Sequence, residues 1–304
     1  MKQEFYFQSK DGETQIHVVE WIPEGNVKCI LQICHGMVEH IERYDDFARF
    51  LAENEMYVVG NDHLGHGKSV TEKDKLGFFH DKDGNECVIG DIHKLREITR
   101  EKYPDIPYFM LGHSMGSFLL RQYLGQYSRG LAGAIVMGTG EQPGIVLGAG
   151  KLVCKTIAMF KGWNHRSNLV NSLAVGGYEK KMGRAWLSKN VANVEKYKKD
   201  PLSGFVFTLN AYYHMFDGMS KMNKLEKKGK AEKNLPMFFV AGDEDPVGNC
   251  GKGVETVFHR YHKKGYQDVE IKLYAGDRHE ILNEDDKDVV YQDILGWIQK
   301  KNNF

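Results

Sequence analysis

The sequence predicts an α/β protein: a mostly parallel sheet of about eight strands, flanked by helices on both faces. Three observations carry this reading. Short apolar runs of strand length, at residues 29–34, 56–60, 107–111, 131–137 and 235–242, alternate with amphipathic stretches of helical period. A length of 304 residues suits one large domain with room for an insertion. The alternation is suspended across residues 139–222 and then resumes. The body is therefore expected to comprise residues 1–138 and 223–304, interrupted by a helical segment.

In chain order, residues 4–8 and 15–22 read as two strands joined by a turn at Lys10-Asp11-Gly12. Residues 29–34 (CILQIC) are a buried strand that ends in His35-Gly36-Met37. Tyr44, Phe47, Phe50 and Leu51 give residues 42–54 a helical period. The strand at 56–60 runs into a glycine-rich loop over 61–69, and residues 87–102 are helical until Tyr103-Pro104 stops them. Between 139 and 222 the chain breaks into apparent helices, at 152–160, at 186–197 before Asp200-Pro201, and at 205–215. A strand at 235–242, a helix at 254–263, a strand at 269–274 and an amphipathic helix at 288–300 complete the body. The lysine-rich run 221–233 has glutamates interspersed and reads as a solvated face.

The most informative stretch is 106–127. A strand passes into Gly112-His113-Ser114-Met115-Gly116, after which Phe118, Leu119, Tyr123 and Leu124 recur at helical spacing. Strand, Gly-x-Ser-x-Gly, helix is the context of a nucleophile elbow. Such a tight turn is expected to need glycine two residues either side of the serine, to avoid side-chain collision. It holds Ser114 exposed at the sheet edge, near the N-terminus of the following helix.

Composition removes several classes. Lysine plus arginine equals aspartate plus glutamate, 41 each, so no bulk charge argues for nucleic acid or an anionic membrane. Cys29, Cys34, Cys87, Cys154 and Cys250 are odd in number and form no CxxC pair, which suits free thiols in a reducing compartment. The first 21 residues lack the apolar core of a signal peptide, and no stretch approaches the roughly 18 apolar residues of a membrane span. A cytoplasmic location is the expectation. Gly144, Gly148 and Gly150 before Lys151 do not match a phosphate-binding loop, because Leu152 stands where a hydroxyl is needed. His63 and His66 lack further ligands nearby, so no metal is expected.

A serine nucleophile needs a histidine base oriented by a carboxylate, in the chain order Ser, Asp or Glu, His. Of thirteen histidines, His259, His262 and His279 follow a plausible acid. The first two fall in a predicted helix, whereas His279 lies in a loop after a strand, where functional side chains gather. Asp243, Glu244 and Asp245 are the candidate acids; Asp245 is preferred because Pro246 would hold its loop extended. Asp243 is the alternative. The backbone N–H groups of Met115 and Met37 are the expected oxyanion donors, with Gly36 allowing close approach.

These motifs make the chain resemble the α/β-hydrolase superfamily, and within it the monoacylglycerol lipase and lysophospholipase-like branch (serine aminopeptidase S33, Hydrolase-4). The matching residues are His35-Gly36-Met37 with Glu39-His40 and Arg43-Tyr44, Asp62 through Ser69, Gly112 through Gly116, Gly242 through Asp245, and Asp277-Arg278-His279. The resemblance implies Ser114 as nucleophile, Asp245 as acid, His279 as base, Met37 and Met115 as the oxyanion hole, and no cofactor. It also implies that 139–222 is a helical cap over an acyl-chain pocket. The expected substrate is a small-molecule acyl ester, a monoacylglycerol or similar single-chain ester. Candidate contacts are Gly36, His113, Ile145, Ile157 and Phe160. The cap's apolar side chains, Val146, Leu147, Val153, Met159 and Trp163 among them, suggest transient contact with lipid aggregates. A short-chain or aryl carboxylesterase, a lysophospholipase, a thioesterase and a non-catalytic binding protein of this fold are the alternatives.

Overall fold

The computed structural model describes residues 1–70, 72 and 75–302, with the backbone alone at 179, 181, 183 and 184. Its sheet contains β1 (Lys2–Gln8), β2 (Gln15–Trp21), β3 (Cys29–Cys34), β4 (Met56–Asn61), β5 (Tyr108–His113), β6 (Gly133–Met137), β7 (Met237–Gly242) and β8 (Val269–Tyr274). The strand order is β1-β2-β4-β3-β5-β6-β7-β8. β1 and β2 pair antiparallel, as do β2 and β4; every later pairing is parallel. Every residue of β3, β4, β5, β6 and β7 is buried, which is why these strands read as unbroken apolar runs.

Alternate residues feed two cores, as the period of two requires. Tyr108 and Met110 face one side, against Val88 and Ile92 of α2 (Gly84–Lys102) and Leu120 of α3 (Met115–Tyr127). Phe109 and Leu111 face the other, against Phe47 and Leu51 of α1 (Asp45–Glu53) and Ile294 and Trp297 of α10 (Lys287–Asn302). The parallel register aligns Cys34 with Gly112, His113 with Met137 and Gly242 with Tyr274. The loops after β3, β5, β7 and β8 therefore open at one edge of the sheet.

Between β6 and β7 lie α4 (Gly144–Lys161), α5 (Asn168–Asn171), a π turn at Ser172–Gly176, α6 (Gly177–Met182), α7 (Val191–Lys199) and α8 (Leu209–Lys228). Ser167, Asn190 and Thr208 cap α5, α7 and α8 by accepting backbone N–H groups. The sequence boundary at 222 falls inside α8. That helix continues because its last turns pack on α3: a Cβ at Gly125 would lie 2.7 Å from Leu225 Cβ. The buried Arg121 guanidinium also donates to both oxygens of Glu226, at 2.7 and 3.0 Å. The first part of the lysine-rich run is thus the solvated end of α8, which Gly229 closes at φ 58°. Among the described residues no helix is long and apolar enough to cross a membrane.

Asp91 of α2 fastens the turn between β1 and β2, accepting from Ser9 Oγ at 2.8 Å and Lys10 N–H at 2.6 Å. Burial outweighs these bonds and raises its pKa to about 7. An unfolded aspartate releases its proton near pH 4, so the native state holds more protons in between and loses stability as pH rises from about 4 to 7. Asp91→Asn keeps the shape without the charge. Its advantage over wild type in urea unfolding should grow by about 2 kcal/mol between pH 5 and pH 8. A constant difference would mean that Asp91 is ionised throughout.

Candidate active site

β5 delivers the chain into the elbow and α3 takes it away. Ser114 sits between them at φ 53° and ψ −120°, a conformation that costs a non-glycine residue on the order of 1–3 kcal/mol. Its N–H donates to Met137 O at 3.0 Å, and its own carbonyl accepts from Ser117 N–H at 2.8 Å. Both elbow glycines are needed, for a reason other than the one expected. A Cβ at Gly112 would stand 2.3 Å from the Gly116 carbonyl oxygen, and one at Gly116 would stand 2.0 Å from that of Cys34. The obstacles are backbone, not side chains.

The loops after β7 and β8 meet this serine. His279 Nε2 lies 2.8 Å from Ser114 Oγ, and Nδ1 lies 3.0 Å from Asp245 Oδ2. Because the carboxylate can only accept, Nδ1–H donates to it, leaving Nε2 to accept the serine proton. Asp245 is fully buried, and its other oxygen accepts Val247 N–H at 2.9 Å. Asp243 instead accepts Gly276 N–H at 2.6 Å and joins the two loops at the surface. His259 and His262 lie in α9 (Lys252–Lys263).

Gly36, Met37 and Met115 line one cavity with Ser114 and His279. Gly36 approaches closely: a Cβ there would lie 3.1 Å from Ser114 Cβ. Met115 opens α3, so its N–H has no partner within the helix. Among the described residues no backbone carbonyl accepts from Met37 or Met115.

Three buried histidines brace the Gly36 loop. His35 Nδ1–H donates to Gly36 O at 2.8 Å, and its Nε2 accepts His63 N–H at 3.0 Å. His66 Nε2 accepts Val38 N–H at 3.3 Å. Burial pushes His35, His63 and His66 each down to about 3, so they act as neutral struts. His35 is structural, both its ring nitrogens being bonded to loop backbone.

Beside them is a charged cluster. Glu39 accepts from Gly36 N–H at 2.6 Å, Tyr44 OH at 2.8 Å and Arg43 Nη1 at 2.7 Å. Arg43 also donates to both oxygens of Glu280, at 2.7 and 2.8 Å. His113 Nε2 donates to the His279 carbonyl at 3.1 Å. Burial opposes charge on His113, but Glu39, 3.4 Å away, outweighs it and raises the pKa.

The cavity measures about 680 Å³. From Ser114 it runs past Phe118, Leu147, Phe216 and Met219 and reaches the surface at Ile145 and Leu173, which are 89% and 71% exposed. Of the expected contacts, Gly36, His113 and Ile145 line it. Ile157 and Phe160 do not: Ile157 packs on the core, and Phe160 is 83% exposed. The reason is helical phase, since α4 turns Leu147, Cys154 and Ala158 inward and carries Phe160 outward. The sequence marks Trp186 only as the start of a helix, which in fact begins at Val191, and not as part of the site. Its ring lies 5.2 Å from that of His279, in a short turn with no periodicity to mark it.

Among the described residues neither buried ring nitrogen of His63 has a hydrogen-bond partner, and its ring lies 4.1 Å from that of His35. A histidine held neutral down to about 3 is fully stabilising above its unfolded pKa near 6.5 and loses that contribution as pH falls below it. His63→Phe should therefore narrow the stability loss between pH 7.5 and pH 5 by about 2 kcal/mol. Urea midpoints at the two pH values measure it, and an unchanged difference would mean that His63 does not report acid.

A family model described as "Serine aminopeptidase, S33" (Hydrolase_4) matches residues 25–286. The chain is 25% identical over 291 residues to a monoglyceride lipase of Mus musculus, covering 92% of this chain and 86% of the other. It is 26% identical over 290 residues to a monoacylglycerol lipase of Mycolicibacterium smegmatis, covering 94% of each. A solved carboxyl esterase of Bacillus coagulans, in complex with glycerol, shares 30% identity over 99% of both chains with a TM-score of 0.86. The family match spans the elbow, both partner loops and strands β3 to β8, so the chain belongs to the Hydrolase_4 (serine aminopeptidase S33) family and has the α/β-hydrolase fold.

Proposed function

We propose that the protein is a serine ester hydrolase whose preferred substrates are monoacylglycerols or similar single-chain esters. The observation that carries this reading is the Ser114–His279–Asp245 relay at the inner end of a long apolar cavity. His279 takes the Ser114 proton as Oγ attacks the ester carbonyl, and Asp245 stabilises the imidazolium that forms. Met37 and Met115 N–H groups hold the oxyanion, the alcohol leaves with the proton from His279, and water then cleaves the acyl-enzyme by the same route. Residues 139–222 serve as the cap, α4 and α8 walling the acyl chain.

The names of the mouse and mycobacterial relatives support a monoacylglycerol. The carboxyl esterase, the most identical of the three at 30%, supports a second reading, a general carboxylesterase. Peptidase activity is disfavoured: Glu39 and Glu280, the two acids in the lining, are both bonded to Arg43, leaving neither to bind an amino terminus. Five unpaired cysteines support a reducing compartment, and a cytoplasmic location is our reading.

Hydrolysis of p-nitrophenyl esters from acetate to palmitate, with 1- and 2-monooleoylglycerol, separates the two readings. We expect medium or long chains and monoacylglycerols to be favoured, and Ser114→Ala to be inactive. Turnover of acetate and butyrate alone would establish the carboxylesterase. An inert wild type would sink both readings in favour of a binding protein. Asp245→Asn should lower kcat by roughly 10³–10⁴-fold, as loss of the orienting carboxylate does, while Asp243→Asn should stay within about threefold because its bond is to backbone. Equal losses would reopen the choice of acid.

A further inference from the structure

α3 carries a charged side chain into the interior. Arg121 lies two turns along that helix from Ser114 and is 1% exposed. Its Nε and Nη2 donate to the two oxygens of Glu226, in the last turns of α8, at 2.7 and 3.0 Å. Its Nη1 donates to Thr139 Oγ1 and to the Gly140 carbonyl, both at 3.0 Å. Thr139 and Gly140 follow β6, whereas Glu226 precedes β7. One side chain of the helix that starts at the nucleophile thus grips the chain on its way into the inserted segment and again on its way out.

Neighbouring bonds reinforce the contact. Glu226 also accepts from the Tyr261 hydroxyl at 2.9 Å and from Arg260 Nη1 at 3.4 Å, both in α9. Arg260 pairs in turn with Glu141, the residue after Gly140. Asn223 Nδ2, one turn before Glu226, donates to Gln142 O at 2.8 Å. On its other side Gly140 presses on the loop of the candidate acid. A Cβ there would lie 2.5 Å from the carbonyl oxygen of Val247, whose N–H donates to Asp245.

Stability alone does not account for such a pair, since apolar side chains of similar volume often serve as well or better. What the guanidinium supplies is direction: its N–H groups form one planar fork, which holds Glu226 and the Thr139–Gly140 segment at a fixed separation. That segment leads into α4, and Glu226 belongs to α8, the two helices that wall the cavity together with α3. Arg121 stands behind the wall, its guanidinium 5.8 Å from the ring of Phe118, which lines it.

We propose that Arg121 is a positioning residue, fixing where α4 and α8 stand relative to Ser114 and hence which acyl-chain lengths the cavity accepts. The chain-length part rests on the ester reading above; the placement of the two helices does not. A long chain held at Ser114 must follow both walls, so a shift of about 1 Å is costly to it. An acetyl group reaches no further than the elbow and does not sense the shift.

Three variants test this. Arg121→Lys keeps the charge without the fork. Arg121→Met/Glu226→Gln removes both charges and leaves Tyr261 an acceptor. Thr139→Val removes one bond and no charge. With folding verified by urea unfolding, kcat/KM for p-nitrophenyl decanoate should fall about tenfold or more in the first two, through KM. It should fall about threefold in Thr139→Val, while p-nitrophenyl acetate stays within about twofold throughout. Mere neutralisation of Glu226 would be rescued by Arg121→Lys. A wild-type chain-length profile in that variant would therefore overturn the proposal, and so would equal losses on acetate and decanoate. Hydrogen exchange reads the placement without substrate. Amides of α4 should exchange at least about tenfold faster in the double variant, with those of β3 and β5 unchanged. Uniform acceleration would mean general loosening and would also overturn it. An inert wild type that still shows the local change would remove the ester reading alone.

Discussion

The buried carboxylate of Glu39 is the point on which the site's geometry depends. It fixes the Gly36 N–H after β3, the Tyr44 hydroxyl before α1 and the Arg43 guanidinium. Arg43 then holds Glu280, the residue after the candidate base. His113, the residue before Ser114, holds the His279 carbonyl from the other side. Loops from three strands are thus referred to one ion cluster. Two carboxylates face one guanidinium, and a protonated His113 makes the sum neutral. Burying these charges would otherwise cost several kcal/mol each, so the raised pKa of His113 follows from the deficit of positive charge around Glu39 and Glu280.

Backbone restraint supports the same geometry. Ser114 occupies a left-handed conformation because β5, β6 and α3 determine its surroundings: one hydrogen bond to Met137 and tight passage beside Gly112 and Gly116. The strain is small against the packing of the two cores. In return, the serine oxygen stands clear of the sheet and the Met115 N–H points from a helix start, where positive potential is already present.

How much of this was legible depended on whether the signal was local. The strand at 29–34 matched to the residue because full burial on both faces writes itself as continuous apolar sequence; the one at 269–274 matched through alternation instead, Glu270 and Lys272 interleaving with apolar residues in a half-buried strand. The elbow was legible because glycine spacing and flanking elements coincide within 22 residues. Chain order narrowed the candidates, loop position then favoured His279 and Pro246 favoured Asp245; these two residues, 34 apart, meet Ser114 although His279 is 165 residues from it in sequence. The Glu39–Arg43–Glu280 cluster was not legible as a structure: Arg43 and Glu280 are 237 residues apart, and neither has a local pattern that names its partner. The short helices over 168–182 were missed because four- to six-residue elements have too few turns to show a period. The start of the α4 helix was drawn late, and with it went the phase that turns Phe160 outward.

That last error exposes how the inserted segment is built. Its sequence carries more apolar side chains than the space between α4, α8 and α3 can enclose, and the structure divides them between a cavity wall and an outer surface. Leu147 on the inner side shares a buried cluster with Phe118, Met219 and Met222, which ties α4 to the elbow helix and fixes the wall. Ile145 belongs to both sides, lining the cavity while 89% exposed. An apolar path that is continuous from surface to nucleophile has a physical consequence. An alkyl chain can lie along it without exposing its methylene groups to water, at about 0.8 kcal/mol for each group kept covered. A polar rim would impose that cost on every turnover. The position of Ile145 and Val146 at the start of α4 therefore ties the outer face of the helix to the cavity mouth.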